Sequence, residues 1–219
     1  MRLIYNNYLF LFLFLLFFSF ILRFPFFFKD VFDWDESTYI IHAQLILEGF
    51  LPYTEKLSFR PPFTYLVIAG FIQLFGKSII SVRLCAIFVI TLTALFVFLI
   101  SKNIINKKNA LLASIFTIIS SSFLISHFEQ GAVAIYSEHI AILPIMIAFF
   151  LLQNYQSNKK NLTIFLAGFF ISLAVLTRAN LIILAVGLIF LFYFLEIYKK
   201  NKKIVIYYFL GGIMPALIL

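Results

Sequence analysis

Charged residues are scarce in this sequence of 219 residues. Only 12% of its side chains are charged and 63% are hydrophobic, whereas about a quarter of the residues in an average soluble domain are charged. A soluble fold of this length has too small an interior to bury so much apolar surface. The composition therefore excludes an ordinary soluble domain. It predicts an all-helical polytopic membrane protein, in which each span takes roughly 20 apolar residues.

Cysteine, proline and glycine are also rare, with one, six and eight residues respectively. The single cysteine, Cys85, excludes an intramolecular disulfide. We find no internal repeat and no polar linker that would divide the chain into two domains. Residues 1–219 are therefore expected to form one transmembrane module, or a fragment of a longer protein.

The net charge of +8 comes from lysines that lie in short clusters between apolar segments. This distribution indicates cytoplasmic loops rather than a nucleic-acid-binding surface, because short loops rich in Lys and Arg stay on the inner side of a membrane. With this orientation the N-terminus lies in the cytoplasm, and eight of the nine acidic residues, all except Glu196, fall on the outer side. We expect a multi-pass protein of the plasma (inner) membrane. The clusters are Lys102, Lys107 and Lys108; Lys159 and Lys160; and Lys199, Lys200, Lys202 and Lys203.

Apolar segments predict about seven membrane helices. Their expected bounds are Leu9–Phe28, Ile79–Ile100, Ala110–Ser126, Ile140–Gln153, Leu162–Thr177 and Asn180–Tyr198, with a seventh helix beginning at Ile204.

The first outer loop, residues 29–78, holds a further apolar segment that is too short to cross the bilayer. This segment, Phe63–Phe75, has 13 residues between Pro62 and Gly76. If it were a full span, every later lysine cluster would lie outside. We therefore predict an interfacial or re-entrant helix on the outer face.

Three acids in four residues, Asp33, Asp35 and Glu36, begin the same loop. They precede a predicted interfacial helix, Asp35–Glu48, which Gly49 ends. One interpretation is that Asp33 and Glu36 only cap this helix, but it leaves Asp35 without a structural role. The other is catalytic, since a carboxylate beside a membrane can accept a proton from an attacking hydroxyl or hold a divalent metal.

Several motifs together resemble the N-terminal module of GT-C glycosyltransferases, specifically the protein O-mannosyltransferase and aminoarabinose-transferase-like group (glycosyltransferase family 39 and its bacterial relatives). They occur in the expected order over about residues 25–200. The motifs are Asp35-Glu36-Ser37-Thr38-Tyr39, Arg60-Pro61-Pro62, Leu74-Phe75-Gly76, Arg83-Leu84, Tyr136-Ser137-Glu138 and Leu176-Thr177-Arg178.

The resemblance implies an inverting transferase that takes a sugar from a polyprenyl-phosphate donor at the outer face, as part of cell-envelope chemistry. Asp35 matches the acid that serves as general base or orients the acceptor, and Glu36 is its partner. Arg60 matches a cation near the donor phosphate. Glu138 matches a second-loop acid that is often Asp, and Arg178 is a further phosphate contact or an interfacial Arg. The acceptor, a lipid, a polysaccharide or a protein, is not specified.

A divalent metal is a further possibility at this loop, and no other cofactor is indicated. The candidate ligands are Asp33, Asp35 and His42. His127 or His139 with Glu129 or Glu138 could also contribute, although no short His-Glu-x-x-His spacing is present. Two functions compete with transfer: non-catalytic binding or transport of a lipid-linked saccharide, and an inactive fragment.

Overall fold

The computed structural model describes residues 7–28, 34–50, 60–123, 134–194 and 203–218. All regular secondary structure within these ranges is helical, which confirms the predicted all-helical class. We number its nine α-helices in chain order. They are α1 Tyr8–Arg23, α2 Trp34–Leu47, α3 Phe63–Phe75, α4 Ile79–Ser101, α5 Lys107–Phe123, α6 Ser137–Asn158, α7 Asn161–Val175, α8 Ile182–Phe194 and α9 Ile204–Ile218.

The predicted starts of α4 at Ile79 and of α9 at Ile204 are confirmed, and helix ends next to a proline or a glycine agree to within one residue. Helix α3 has the predicted bounds and ends at Gly76. Helix α2 ends before Gly49, whose φ of 93° favours glycine. Helix α1 is shorter than expected, because the chain turns into a 3₁₀ helix at Phe24–Phe26, around Pro25.

Helix α6 is the largest departure from the predicted bounds. It has 22 residues, whereas the apolar pattern predicted only Ile140–Gln153. It extends into polar residues at both ends, where hydropathy gives no helical signal. The predicted boundaries of the third and sixth spans, at Ser126 and Tyr198, lie outside the described residues.

Two of the described helices are long and apolar enough to cross a membrane, α4 and the part of α6 from Ser137 to Tyr155. Helix α4 has 23 residues, about 34 Å at the rise of an α-helix. Five further apolar segments have between 10 and 17 residues: Tyr8–Arg23, Phe63–Phe75, Asn161–Val175, Ala179–Leu191 and Ile204–Ile218. The architecture is compatible with a helical membrane protein, and the number of seven spans stays a prediction.

The bundle contains two helical hairpins, α4 with α5 and α6 with α7, which pack against each other through α4 and α6. Their connecting turns lie at the same end of the bundle. There the side-chain amide of Asn103 donates to Oε1 of Gln153 over 3.0 Å, and the side-chain amide of Gln153 donates to the Ile100 carbonyl over 3.2 Å. Lys102 at this end donates to the hydroxyl of Tyr8 over 2.6 Å, which brings the start of α1 there as well.

Helices α2 and α3 lie at the opposite end. Glu36 in the first turn of α2 pairs with Arg83 of α4, and Glu48 just after α2 pairs with Lys77 at 3.5 Å. These two acids are twelve residues apart, or about 18 Å along a helix, whereas their partners are only six residues apart. The two ion pairs therefore tie both ends of α2 to the start of α4. Its buried Tyr39 and Ala43 pack in one hydrophobic cluster with α3 and α4.

Candidate functional site

Asp35 and Arg60 form an ion pair at the end of the bundle where α2 begins. Nη2 of Arg60 lies 2.6 Å from Oδ1 of Asp35, and about two-fifths of each side chain is exposed, 41% and 38%. Asp35 is in the first turn of α2, where the partial positive charge of a helix N-terminus favours an anionic side chain. Arg60 stands just before Pro61 and Pro62. The two residues predicted to serve the acceptor and the donor phosphate thus lie in direct contact.

Tyr39 supports the same arginine from the next turn of α2. Its hydroxyl accepts a hydrogen bond from Nη1 of Arg60, and the guanidinium lies 5.3 Å from the centre of its ring. Burial raises the pKa of Tyr39 above its ordinary value, despite the lowering effects of Ser137 and Arg60. The phenol therefore stays protonated at neutral pH. It contributes a neutral polar group beside the ion pair.

A second ion pair joins the start of α6 to the turn after α7. Glu138 in the first turn of α6 pairs with Nη1 of Arg178. Ser137 donates from Oγ to Oε2 of Glu138 over 3.2 Å. Ser137 also lies close enough to the Tyr39 hydroxyl to lower the pKa of that phenol. This residue therefore links the two ion pairs.

The resulting arrangement is a continuous series of contacts between two acids and two cations. It runs through Asp35, Arg60, Tyr39, Ser137, Glu138 and Arg178. The backbone holds it together as well, because the Phe63 amide donates to the Leu176 carbonyl over 3.0 Å. That bond connects the start of α3, next to Arg60, to the segment that carries Arg178. Four site residues predicted from separate motifs thus meet at one end of the bundle.

Glu36 occupies a different position from its neighbour Asp35. Its side chain is buried, pairs with Arg83, and accepts from the backbone amide of Ile135 over 3.0 Å. Glu36 therefore lies beneath the partly exposed pairs and does not form part of their surface.

The metal candidates in the described part of the chain do not form a metal-ligating group. His42 lies two turns from Asp35; its Nδ1 donates to the Thr38 carbonyl over 2.8 Å, and its ring stacks on Tyr65 with centres 4.7 Å apart. Asp33 lies outside the described residues. Within the described ranges, no three His, Cys, Asp or Glu side chains come together as a metal-ligating group. The described site residues form charge pairs, and we assign no step of a reaction to a metal.

The His139 ring forms two hydrogen bonds with the backbone. The Tyr136 amide donates to Nδ1 over 3.2 Å, so the proton is on Nε2, which donates to the Ser121 carbonyl over 3.0 Å. Both ring nitrogens are thus used to hold the start of α6 against α5. His127 and Glu129, the other metal candidates of the second outer loop, lie outside the described residues.

Three residues of this region were not predicted as site residues: Tyr39, Ser137 and Arg83. Tyr39 and Ser137 stand within motifs that supplied other candidates, one turn after Asp35 and directly before Glu138. Arg83 interrupts an apolar segment. An ionisable residue in such a segment has a partner as a rule, so this signal could have identified it.

Comparisons with known proteins give one family and one relative. A family model described as dolichyl-phosphate-mannose-protein mannosyltransferase matches residues 59–219. Asp35 and Glu36 precede the matched region. An uncharacterized protein of Aquifex aeolicus (strain VF5) is 29% identical over 160 residues, which are 73% of this chain and 31% of that protein. The chain thus spans less than a third of the length of this relative. No solved structure matches.

Proposed function

Because the chain belongs to the dolichyl-phosphate-mannose-protein mannosyltransferase family of GT-C-type membrane glycosyltransferases, we propose that it transfers a sugar from a polyprenyl-phosphate donor to an acceptor hydroxyl. The reaction takes place at the outer face of the plasma membrane, with the N-terminus and the lysine clusters in the cytoplasm. The protein is multi-pass, and the acceptor is a lipid, a polysaccharide or a protein.

The observation that carries the proposal is the pairing of each candidate acid with a cation, Asp35 with Arg60 and Glu138 with Arg178. Glycosyl transfer needs a base for the incoming hydroxyl and positive charge for the departing phosphate. A carboxylate that can serve as the base and two cations lie within this one series of contacts. The partial exposure of all four side chains leaves them accessible to a ligand.

In the proposed reaction the acceptor oxygen attacks the anomeric carbon of the donor. The bond from that carbon to the phosphate oxygen breaks, and its electron pair leaves with the polyprenyl phosphate. The acceptor proton goes to a carboxylate oxygen of Asp35. One displacement of this kind inverts the anomeric centre. Arg60 binds the phosphate and stabilises its growing negative charge, and Arg178 provides a second contact.

The test uses the full chain in proteoliposomes with synthetic polyprenyl-phosphate mannose and extracted cell-envelope acceptors. Release of free polyprenyl phosphate is followed by mass spectrometry. We expect release by the native chain and a loss of at least about 100-fold in Asp35→Asn, the usual scale for a lost acid or base. Binding of the donor without release would favour the alternative, a carrier of lipid-linked saccharide. Release at the native rate by Asp35→Asn would exclude Asp35 as the base.

A further inference from the structure

A buried cluster of charge lies directly beneath the candidate site. Glu36, Arg83 and Arg23 are 0%, 3% and 3% exposed. Glu36 pairs with Arg83, and Arg23 lies close enough to interact electrostatically with both. The cluster holds two cations and one acid, so its net charge is +1.

The cluster connects four parts of the chain. Glu36 belongs to α2, Arg83 to α4 and Arg23 to the end of α1. The fourth part is the segment that enters α6, because the Ile135 amide donates to Glu36 over 3.0 Å and Nη2 of Arg23 donates to the Ala134 carbonyl over 3.1 Å. One carboxylate therefore holds the backbone just before Ser137 and Glu138.

Both ion pairs of the site depend on the elements that this cluster joins. Asp35 is the residue before Glu36 on α2, and Ser137 follows Ile135 by two residues. A buried ion pair of this kind fixes geometry rather than adding much stability, because desolvation of the two charges offsets their attraction. Removal of one partner leaves the other charge buried without its counter-ion, which is strongly unfavourable.

We propose that the Glu36–Arg83 pair positions α2 against the start of α6 and thereby sets the spacing between the Asp35–Arg60 and Glu138–Arg178 pairs. Glu36 and Arg83 are positioning residues, and neither touches the substrate. The effect of the Glu36–Arg83 pair on catalysis rests on the proposed function. Its effect on the geometry of the site does not.

The spacing is measurable without any substrate. Trp34, 86% exposed, is next to Asp35, and Asn180, also exposed, is two residues from Arg178. Spin labels on cysteines at these two positions, in a Cys85→Ala background, report the distance across the site by pulsed electron resonance. We expect Glu36→Gln and Arg83→Gln each to broaden or shift this distance distribution.

The double variant Glu36→Arg/Arg83→Glu, which keeps an ion pair between the same two positions, separates positioning from direct catalysis. It restores the native net charge of +1, whereas the single variants have +2 and 0. We expect its distance distribution to return towards the native one. We also expect donor turnover at least about five-fold faster than in either single variant, a coupling typical of residues in contact.

Glu48→Gln is the matched control, because Glu48 forms an exposed ion pair at the other end of α2. It should leave both the distance distribution and turnover at native values. A native distribution in both single variants would overturn the proposal. So would a double variant that stays as inactive as Glu36→Gln, since that result identifies Glu36 as a reacting group. If even the native chain releases no polyprenyl phosphate, the proposed function fails, and the distance measurements still decide the positioning role.

Discussion

Arg60 lies 2.6 Å from Asp35, so the predicted phosphate-binding cation and the predicted base neutralise each other when no ligand is bound. In the proposed reaction, a donor phosphate competes with the Asp35 carboxylate for the same guanidinium. Binding of the phosphate to Arg60 would then release the carboxylate for the acceptor. On this proposal the pairing favours binding of the donor before the acceptor.

The first prediction concerns affinity in Asp35→Asn. This variant loses transfer but should bind the donor more tightly than the native chain, by about three- to ten-fold, because the competing charge of a partly exposed ion pair is gone. The measurement is titration of nanodisc-embedded protein with a fluorescent polyprenyl-phosphate mannose. Glu48→Gln, which removes an acid at the far end of α2, serves as control and should bind as the native chain does. Weaker binding in Asp35→Asn would show that the carboxylate helps to hold the donor.

The second prediction tests whether donor binding depends on the planar, forked shape of the Arg60 side chain. Its two terminal nitrogens contact different partners, Asp35 and the Tyr39 hydroxyl. Arg60→Met should weaken donor binding by about 10- to 100-fold, the scale of a lost charged hydrogen bond. Arg60→Lys should fall between Met and the native residue, since lysine keeps the charge but not the fork. Equal binding by Lys and Arg would show that only the charge matters.

The Tyr39 hydroxyl allows a pH-dependent check of the same contact. Tyr39→Phe removes the group that accepts from Nη1 of Arg60 and should lower donor affinity by about five-fold. Burial raises the pKa of Tyr39, so the native phenol stays neutral through the alkaline range. The deficit of the variant should therefore be the same at about pH 6 and pH 9. A deficit that disappears at the higher pH would mean that Tyr39 ionises.

Sequence patterns predicted those features of the fold that depend on local signals. The bounds of α3 follow from Pro62 and Gly76, and the turn after α2 follows from Gly49. The extent of α6 was not predictable from hydropathy, because its first turn and its last residues are polar while the backbone continues as a helix.

The candidate site was predicted as a set of residues but not as a geometry. The motifs around Asp35, Arg60, Glu138 and Arg178 supplied the members, and the structure brings all four to one end. The sequence could not show that Glu36 faces inward, since its partner Arg83 is 47 residues away and helical periodicity relates only neighbouring turns. Adjacent acids on one helix therefore have different environments, one partly exposed and one buried.

The fourth prediction separates function from stability at the second ion pair. Glu138 and Arg178 are 40% and 34% exposed, and an ion pair of this exposure contributes about 0–1 kcal/mol to folding. Glu138→Gln and Arg178→Gln should each lower Tm by no more than about 3 °C, while donor turnover falls by at least about ten-fold. Thermal unfolding in detergent and the release assay measure the two effects. A large drop in Tm would identify the pair as a structural clamp instead.

The last prediction concerns the packing of α7 against α9, which have extensive mutual contact. A Cβ atom on Gly168 would collide with the backbone carbonyl of Tyr208, and one on Gly211 with the carbonyl of Phe165. Small residues at a helix crossing allow this close approach. Gly168→Ala and Gly211→Ala should each destabilise the fold by about 1–3 kcal/mol, the usual cost of overpacking.

Gly187 in α8 provides the matched control for these two substitutions, because a Cβ atom there would meet nothing within 4 Å. Gly187→Ala should keep the native Tm or raise it slightly, since alanine is the better helix former. Thermal unfolding of the three variants side by side in the same detergent gives the comparison. If all three variants unfold at the native temperature, α7 and α9 can move apart without loss of stability. The close crossing of these two helices would then not contribute to the stability of the fold. If only Gly168→Ala and Gly211→Ala are destabilised, the close contact between the backbones of α7 and α9 contributes to the stability of the fold.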